Sequence, residues 1–285
     1  MPQTTHRKKL VLPLLLALAL LLILAAVMLR SLPQTPEQTL PPETTLPPET
    51  TAVATEPPLP EPERNPYSMT DFQYDGRYRT CLAAKTIPGI DVSSHQKTID
   101  WQAVADSGIE FVIIRVGYRG YESGLLNPDE RMQENYEGAK AAGLKVGAYI
   151  FSQAITVEEA VEEAKMALEL TKDWDMELPI VFDWEYIGDY ARTAEVSDRM
   201  LTDCAIAFCE EIKAAGRKPM IYVAPWFGKL ILEDLTEYPQ WLALYTGKMT
   251  YRYHFDMWQY TCTSTVPGVT GDCDVNIFFP YDDLK

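Results

Sequence analysis

Two carboxylic acids separated by one residue, Asp183 and Glu185, close an apolar run that reads Pro179-Ile180-Val181-Phe182-Asp183-Trp184-Glu185-Tyr186. Alternate side chains of a strand share a face. Both acids therefore point one way, about 6.6 Å apart along the chain, and Trp184 points the other. A third acid, Asp91, ends the run Gly89-Ile90-Asp91-Val92-Ser93, and a fourth, Asp274, lies in Gly271-Asp272-Cys273-Asp274-Val275-Asn276. Carboxylates brought together repel, which raises the pKa of at least one and leaves others ionised. Glycosidic hydrolysis uses that division: a protonated acid serves the leaving oxygen, and an anion faces the cationic transition state. The same acids could gather Mg²⁺ or Ca²⁺. Neither a phosphate-binding glycine loop nor a calcium-loop motif accompanies them, however, and His6, His95 and His254 lack ligand spacing. No metal and no cofactor is expected.

Aromatic residues supply the other half of a sugar site, because they pack against the apolar faces of pyranose rings. Tyr149, Phe151, Tyr186, Tyr222, Trp226, Trp258 and Tyr260 fall at or just after the ends of apolar runs. Gln259 and Arg115 are polar residues in apolar surroundings. Tyr149, Phe151, Tyr186, Tyr222, Trp258, Gln259 and Arg115 are the candidate substrate-binding set, although half or more of such aromatics ordinarily serve the core.

The elements that must position these residues follow one pattern, a short β-branched or aromatic run and then a helical stretch. The runs are 87–92, 111–116, 144–151, 179–184 and 219–224, with helical segments near 100–106, 129–142, 156–172 and 195–215. Ala141-Ala142-Gly143 and Ala214-Ala215-Gly216 read as glycine-capped helix ends. Such alternation builds a parallel sheet with helices outside it. After residue 225 three further strands, 241–245, 255–260 and 275–279, are joined by loops too short for long helices. The predicted fold is an irregular α/β barrel, with chemistry at the C-terminal ends of its strands.

The whole chain has 285 residues, 41 acidic against 25 basic side chains and a formal charge of −16. Such an acidic chain argues against a nucleic acid partner, which needs a basic face. Residues 1–30 read as a cytoplasmic tip with Arg7, Lys8 and Lys9, followed by a signal-anchor. From Leu10 to Leu29 no charge occurs, and twenty helical residues reach roughly 30 Å, the thickness of a bilayer core. Residues 31–66, with eleven prolines and an immediate Thr-Leu-Pro-Pro-Glu-Thr repeat, read as an extended linker. Residues 67–86 form an N-terminal extension of the domain, and 87–285 form the barrel. This arrangement predicts a single-pass membrane protein whose domain lies outside the cytoplasm. Five cysteines are too few for a disulfide scaffold. Cys262 and Cys273 flank a Val-Pro-Gly turn that could bring them together.

Several segments, taken in order, resemble the glycoside hydrolase family 25 lysozymes. They are Gly89-Ile90-Asp91-Val92-Ser93-Ser94-His95-Gln96, Gly117-Tyr118-Arg119-Gly120-Tyr121 and Gly147-Ala148-Tyr149-Ile150-Phe151-Ser152-Gln153-Ala154. Phe182-Asp183-Trp184-Glu185-Tyr186, Met257-Trp258-Gln259-Tyr260, Val266-Pro267-Gly268 and Asp274-Val275-Asn276 complete the set. The resemblance implies five strand-helix units followed by three strands. It also implies an N-acetylmuramidase acting on peptidoglycan glycan strands, at the β-1,4 bond between N-acetylmuramic acid and N-acetylglucosamine. On that resemblance Glu185 is the general acid. Asp183 orients the acetamido group or stabilises positive charge, while Asp91 and Asp274 shape and polarise the pocket. A Lys-x-Ser/Thr-Glu-Gly stretch found in part of the family is replaced by Arg115-Val116-Gly117-Tyr118. The alternatives are a chitinase-like hydrolase and a glycan-binding module without catalysis.

Overall fold

The computed structural model describes residues 61–226 and 228–281. The signal-anchor read at 10–29 and nearly all of the linker read at 31–66 lie outside the described residues. Among the described residues no helix is long and apolar enough to cross a membrane.

A hairpin, β1 (Phe72–Asp75) and β2 (Tyr78–Cys81), precedes the barrel. The barrel is built from β3 (Ile87–Val92), β4 (Phe111–Arg119), β6 (Lys145–Ser152), β7 (Ile180–Trp184), β8 (Pro219–Val223), β9 (Gln240–Ala243), β10 (Met257–Ser264) and β11 (Cys273–Phe278). A short strand, β5 (Leu126–Pro128), pairs with the far end of β4. Pairing of β3 with both β4 and β11 closes the ring. Within the ring all neighbours are parallel except around β11, which runs antiparallel to β10 and β3, and outside the ring β5 is antiparallel to β4.

Four helices wrap the barrel: α1 (Trp101–Asp106), α2 (Met132–Ala141), α3 (Val157–Leu170) and α4 (Asp198–Ala214). All four begin and end within a few residues of the sequence reading. Asp100, Thr156 and Ser197 cap α1, α3 and α4 by accepting backbone N–H bonds. Gly143 (φ +81°) and Gly216 (φ +75°) end α2 and α4 in the left-handed conformation that a side chain disfavours. Among the described residues the connection from β8 to β9 carries only a 3₁₀ turn (Leu232–Leu235), so the fifth strand-helix unit shows no α-helix there.

Two apolar layers result. Ile87, Phe111, Ile113, Leu178, Val181, Met220, Trp241, Met257 and Phe278 fill the barrel. A larger layer lies between the sheet and the elements outside it. No helix follows β9 or β10, and the hairpin covers the outer face there. Phe72 packs edge-on against Trp258, with ring centres 4.7 Å apart, and the Tyr260 hydroxyl accepts from the Arg79 backbone. The chain reaches the hairpin along the floor. Asn65 donates through its backbone to Arg252 and through its amide to Tyr251, while Tyr67 stacks on Phe279 at 4.9 Å, just past the end of β11.

Candidate active site

The four acids meet at one end of the barrel, and the strand directions explain how. β3 and β7 deliver Asp91 and Asp183 at their C-terminal ends, and Glu185 follows one residue past β7. Asp274 lies at the start of its strand, so a parallel β11 would carry it to the floor. Because β11 is antiparallel, its N-terminal end reaches the mouth, and Asp274 stands opposite Asp91 in the ladder.

Two carboxyl groups facing each other across neighbouring strands cannot both ionise cheaply. Burial, with Asp91 beside it, pushes Asp274 up to about 9. Asp91 is also raised by burial, to about 6, but two bonds oppose the shift. Its Oδ2 accepts from Asn276 Nδ2 at 2.8 Å and from Gln259 Nε2 at 2.9 Å. Those amides are themselves oriented: Asn276 Oδ1 accepts from Trp241 Nε1, and Gln259 Oε1 accepts from the hydroxyls of Tyr222 and Tyr245. Two relays thus hold Asp91 as the anion. Asp183 is 6% exposed, and its Oδ1 has no hydrogen-bond partner among the described residues. Burial and the neighbouring Glu185 and Asp91 hold it protonated, well above the usual carboxylate range. Glu185 is raised by burial and by Asp91, but it is only half-buried, so its carboxyl reaches the mouth.

A groove of about 680 Å³ runs outward from this end, lined by Ser94, Arg115, Tyr118, Tyr121, Asn127, Phe151 and Ile187. Arg115 keeps the inward parity of Phe111 and Ile113 at the mouth end of β4, just before a bulge between Arg115 and Gly117. There its guanidinium donates to Asp129 at 2.8 Å and to Ser94 at 3.2 Å. Across the mouth Trp226 and Tyr245, 50% and 42% exposed, pack with ring centres 5.3 Å apart. Both walls expose ring faces, and the acids lie between them.

The structure sorts the predicted binding residues. Phe151 and Arg115 line the groove. Tyr149 points into the barrel near Arg115, Asp91, Asp183 and Asp274. Tyr222 and Gln259 lie buried beneath the acids, in hydrogen-bonding roles. Tyr186 is exposed, with its hydroxyl donating to Asp189. Trp258 is a correction. Alternation along β10 turns Met257 and Gln259 inward, so Trp258 faces outward, 1% exposed, beneath the hairpin. It packs the core and cannot touch a substrate at the mouth. Tyr260 lies on the same outer face. Cys262 and Cys273 are both free thiols, Cys262 exposed and Cys273 buried. Among the described residues no group of three or more His, Cys, Asp or Glu side chains is arranged to hold a metal ion.

Asn276, named in the sequence only as the end of the Asp274-Val275-Asn276 segment, and Tyr245 carry functions that the sequence reading did not assign. Asn276 is two residues past Asp274 and so shares its face, a signal present in the period of the strand. Tyr245 lies in a loop, where no periodicity announces it.

Known proteins resemble this chain in sequence and fold. The family model for glycosyl hydrolases family 25 matches residues 90–269. The uncharacterized protein YegX of Escherichia coli K12 is 30% identical over 210 residues, which cover 69% of this chain and 71% of YegX. The autolytic lysozyme of Clostridium acetobutylicum is 27% identical over 192 residues, covering 67% of this chain and 55% of that protein. Among solved structures, the modular autolysin LytC from Streptococcus pneumoniae, in complex with synthetic peptidoglycan ligand, superposes with a TM-score of 0.59 at 27% identity. That match covers 68% of this chain but only 47% of the LytC chain. The matched family segment holds Asp91, Asp183 and Glu185 and spans well over half of the sequence, so the chain is a glycoside hydrolase and belongs to glycosyl hydrolases family 25.

Proposed function

We propose that this enzyme is a peptidoglycan muramidase, cutting the β-1,4 bond between N-acetylmuramic acid and N-acetylglucosamine. One observation carries the reading. Of four clustered carboxyl groups, Glu185 and Asp274 are the half-buried pair with raised pKa values, and Glu185 is the one at the Asp-x-Glu position just past β7 where the family resemblance puts the general acid. In this reading Glu185 protonates the leaving oxygen. Asp91, kept ionised by Asn276 and Gln259, supplies the negative field that favours positive charge at the reacting carbon. Asp183, protonated and with one oxygen unspent, orients the acetamido group. Asp274, neutral at pH 7, lets Asp91 stay charged without a second anion opposite it. The names of two relatives, an autolytic lysozyme and an autolysin with a peptidoglycan ligand, support this substrate.

The sequence adds a place of action. A signal-anchor at 10–29 and a proline-rich spacer at 31–66 would hold the enzyme on the outer side of a membrane, facing the cell wall within linker reach. Cell fractionation tests this, and activity recovered in the medium rather than in the membrane pellet would overturn it.

The catalytic reading is tested with the purified full-length chain on isolated peptidoglycan, followed by borohydride reduction and mass analysis of the new sugar ends. Reduced muramic acid ends are expected, and they should vanish in Glu185→Gln while the fold persists. Reduced glucosamine ends would assign the opposite bond. Absence of new ends from folded protein would leave a glycan-binding module.

A further inference from the structure

Glu185 lies one residue beyond β7, where the ladder that holds Asp183 has ended. From there to α4, residues 185–197 contain neither helix nor strand. A general acid on such a segment would wander unless something outside the strand holds it, and a misplacement of about 1 Å can cost roughly 10²-fold in rate.

The structure supplies a brace. Gln153, just past the end of β6, is completely buried. Its Nε2 donates to the Glu185 backbone oxygen at 3.1 Å, and its Oε1 accepts from the buried Thr193 hydroxyl at 2.9 Å. One side chain thus ties the first residue of the segment to its ninth. The far end is secured separately. Arg192 donates to the Gln153 backbone oxygen at 3.0 Å and forms two bonds, at 2.7 and 2.8 Å, with Glu159 of α3. Glu159 also accepts from the Ile155 backbone, and its own backbone oxygen accepts from Arg119 of β4. Arg119 is buried and paired with the buried Glu163 at 2.7 Å.

We propose that Gln153 is a positioning residue for the general acid, acting as a two-ended clamp on the segment that carries Glu185, with the Arg192–Glu159 pair as its anchor. This inference rests on the reading of Glu185 as the acid. The clamp sets how deeply the Glu185 carboxyl sits among Asp91 from β3, Asp183 from β7, Tyr222 from β8 and Asp274 from β11. Released, the carboxyl moves toward solvent, where the raised pKa falls back toward its ordinary value. A general acid must be protonated, so the basic limb of the pH–activity profile moves to lower pH.

The test uses the full-length enzyme on isolated peptidoglycan, with Gln153→Ala, the nearly isosteric Thr193→Val and Glu185→Gln assayed side by side. Gln153→Ala should lower kcat by about 10- to 100-fold, with KM within about twofold and the basic limb shifted down. Thr193→Val removes only the support of Gln153 and leaves no cavity. It should show the same two changes in smaller measure, at parental thermal stability. A parental kcat and pH profile in both variants, with Glu185→Gln inactive, would overturn the clamp alone. So would a kcat loss that tracks lost stability and leaves the pH profile in place, since that is a structural role. Retained activity in Glu185→Gln would overturn the assignment of the acid and the clamp with it.

Discussion

Asn276→Leu offers the sharpest test of the electrostatic account. The asparagine is fully buried, donates to Asp91 at 2.8 Å and accepts from Trp241 at 2.8 Å. Leucine matches its branching, with two bulkier methyl groups in place of the amide oxygen and nitrogen, and removes both functions. A hydrogen bond to a charged group contributes about 1.5–3 kcal/mol, and one pKa unit corresponds to about 1.4 kcal/mol. Loss of this donor therefore lifts the Asp91 midpoint, about 6 in the parent, by roughly 1–2 units. If the ionised form is the working one, the acidic limb of peptidoglycan hydrolysis moves upward by a similar amount. Stability changes with the same sign. The bond lost at pH 4 is to a neutral carboxyl, and at pH 8 it is to an anion, so urea unfolding should show a larger penalty at pH 8. A pH-independent penalty of about 1–3 kcal/mol comes from the orphaned Trp241 N–H. Trp241→Phe breaks the same Trp241–Asn276 bond, leaving Asn276 Oδ1 unpaired instead, without removing the donor to Asp91. An acidic limb unmoved in Asn276→Leu, with equal penalties at both pH values, would refute the reasoning.

Other outcomes follow from the same contacts. Asp274 and Asp91 hold folded-state pKa values of about 9 and about 6, above those of unfolded carboxylates. The folded state therefore retains protons that the unfolded chain releases, and stability is present at low pH and lost as pH rises through these values. Asp274→Asn should remove much of that slope, melting above the parent at pH 9 and close to it at pH 4. Parallel melting curves would contradict this. Arg119→Met leaves Glu163 buried without its partner and should cost on the order of 3–5 kcal/mol in urea unfolding. Adding Glu163→Met should recover most of that loss, and a failure to recover would show that the pair is not the cause. Trp258→Ala should cost roughly 3–5 kcal/mol as a core truncation without raising KM, whereas Tyr245→Ala should raise KM. The reverse pattern in steady-state kinetics would return Trp258 to the substrate.

The barrel was legible because its strands are unbroken β-branched and aromatic runs, the mark of a parallel sheet buried on both faces. Asp91, Asp183 and Glu185 were legible because each interrupts or ends such a run. Less legible was the strand direction of β11. The adjacency of Asp274 to the other acids follows from an antiparallel reversal that no local pattern announces. Trp258 was misplaced although its parity was readable: Trp258 and Gln259 are consecutive in one strand and cannot face the same site. The hairpin carried its own signal in Asp75-Gly76, with Gly76 at φ +66° between short alternating runs. Its task of covering the outer face of β10 has no local signal, although the short loops there already left that face without a helix. Gln153 was hidden for another reason. Its partners lie 32 and 40 residues away in a segment without periodicity.

The way the chain enters the barrel has a mechanical consequence. Asn65 and Tyr67 are fastened beside Arg252 and Phe279, at the pole opposite the acids. Tension applied through the preceding segment would load the Arg64–Tyr253 bridge and the Tyr67 stack first. It would reach the hairpin next, and the carboxylate relays last. A pull on this handle therefore enters the domain at the pole opposite the acids, with the barrel wall between the handle and the carboxylate relays.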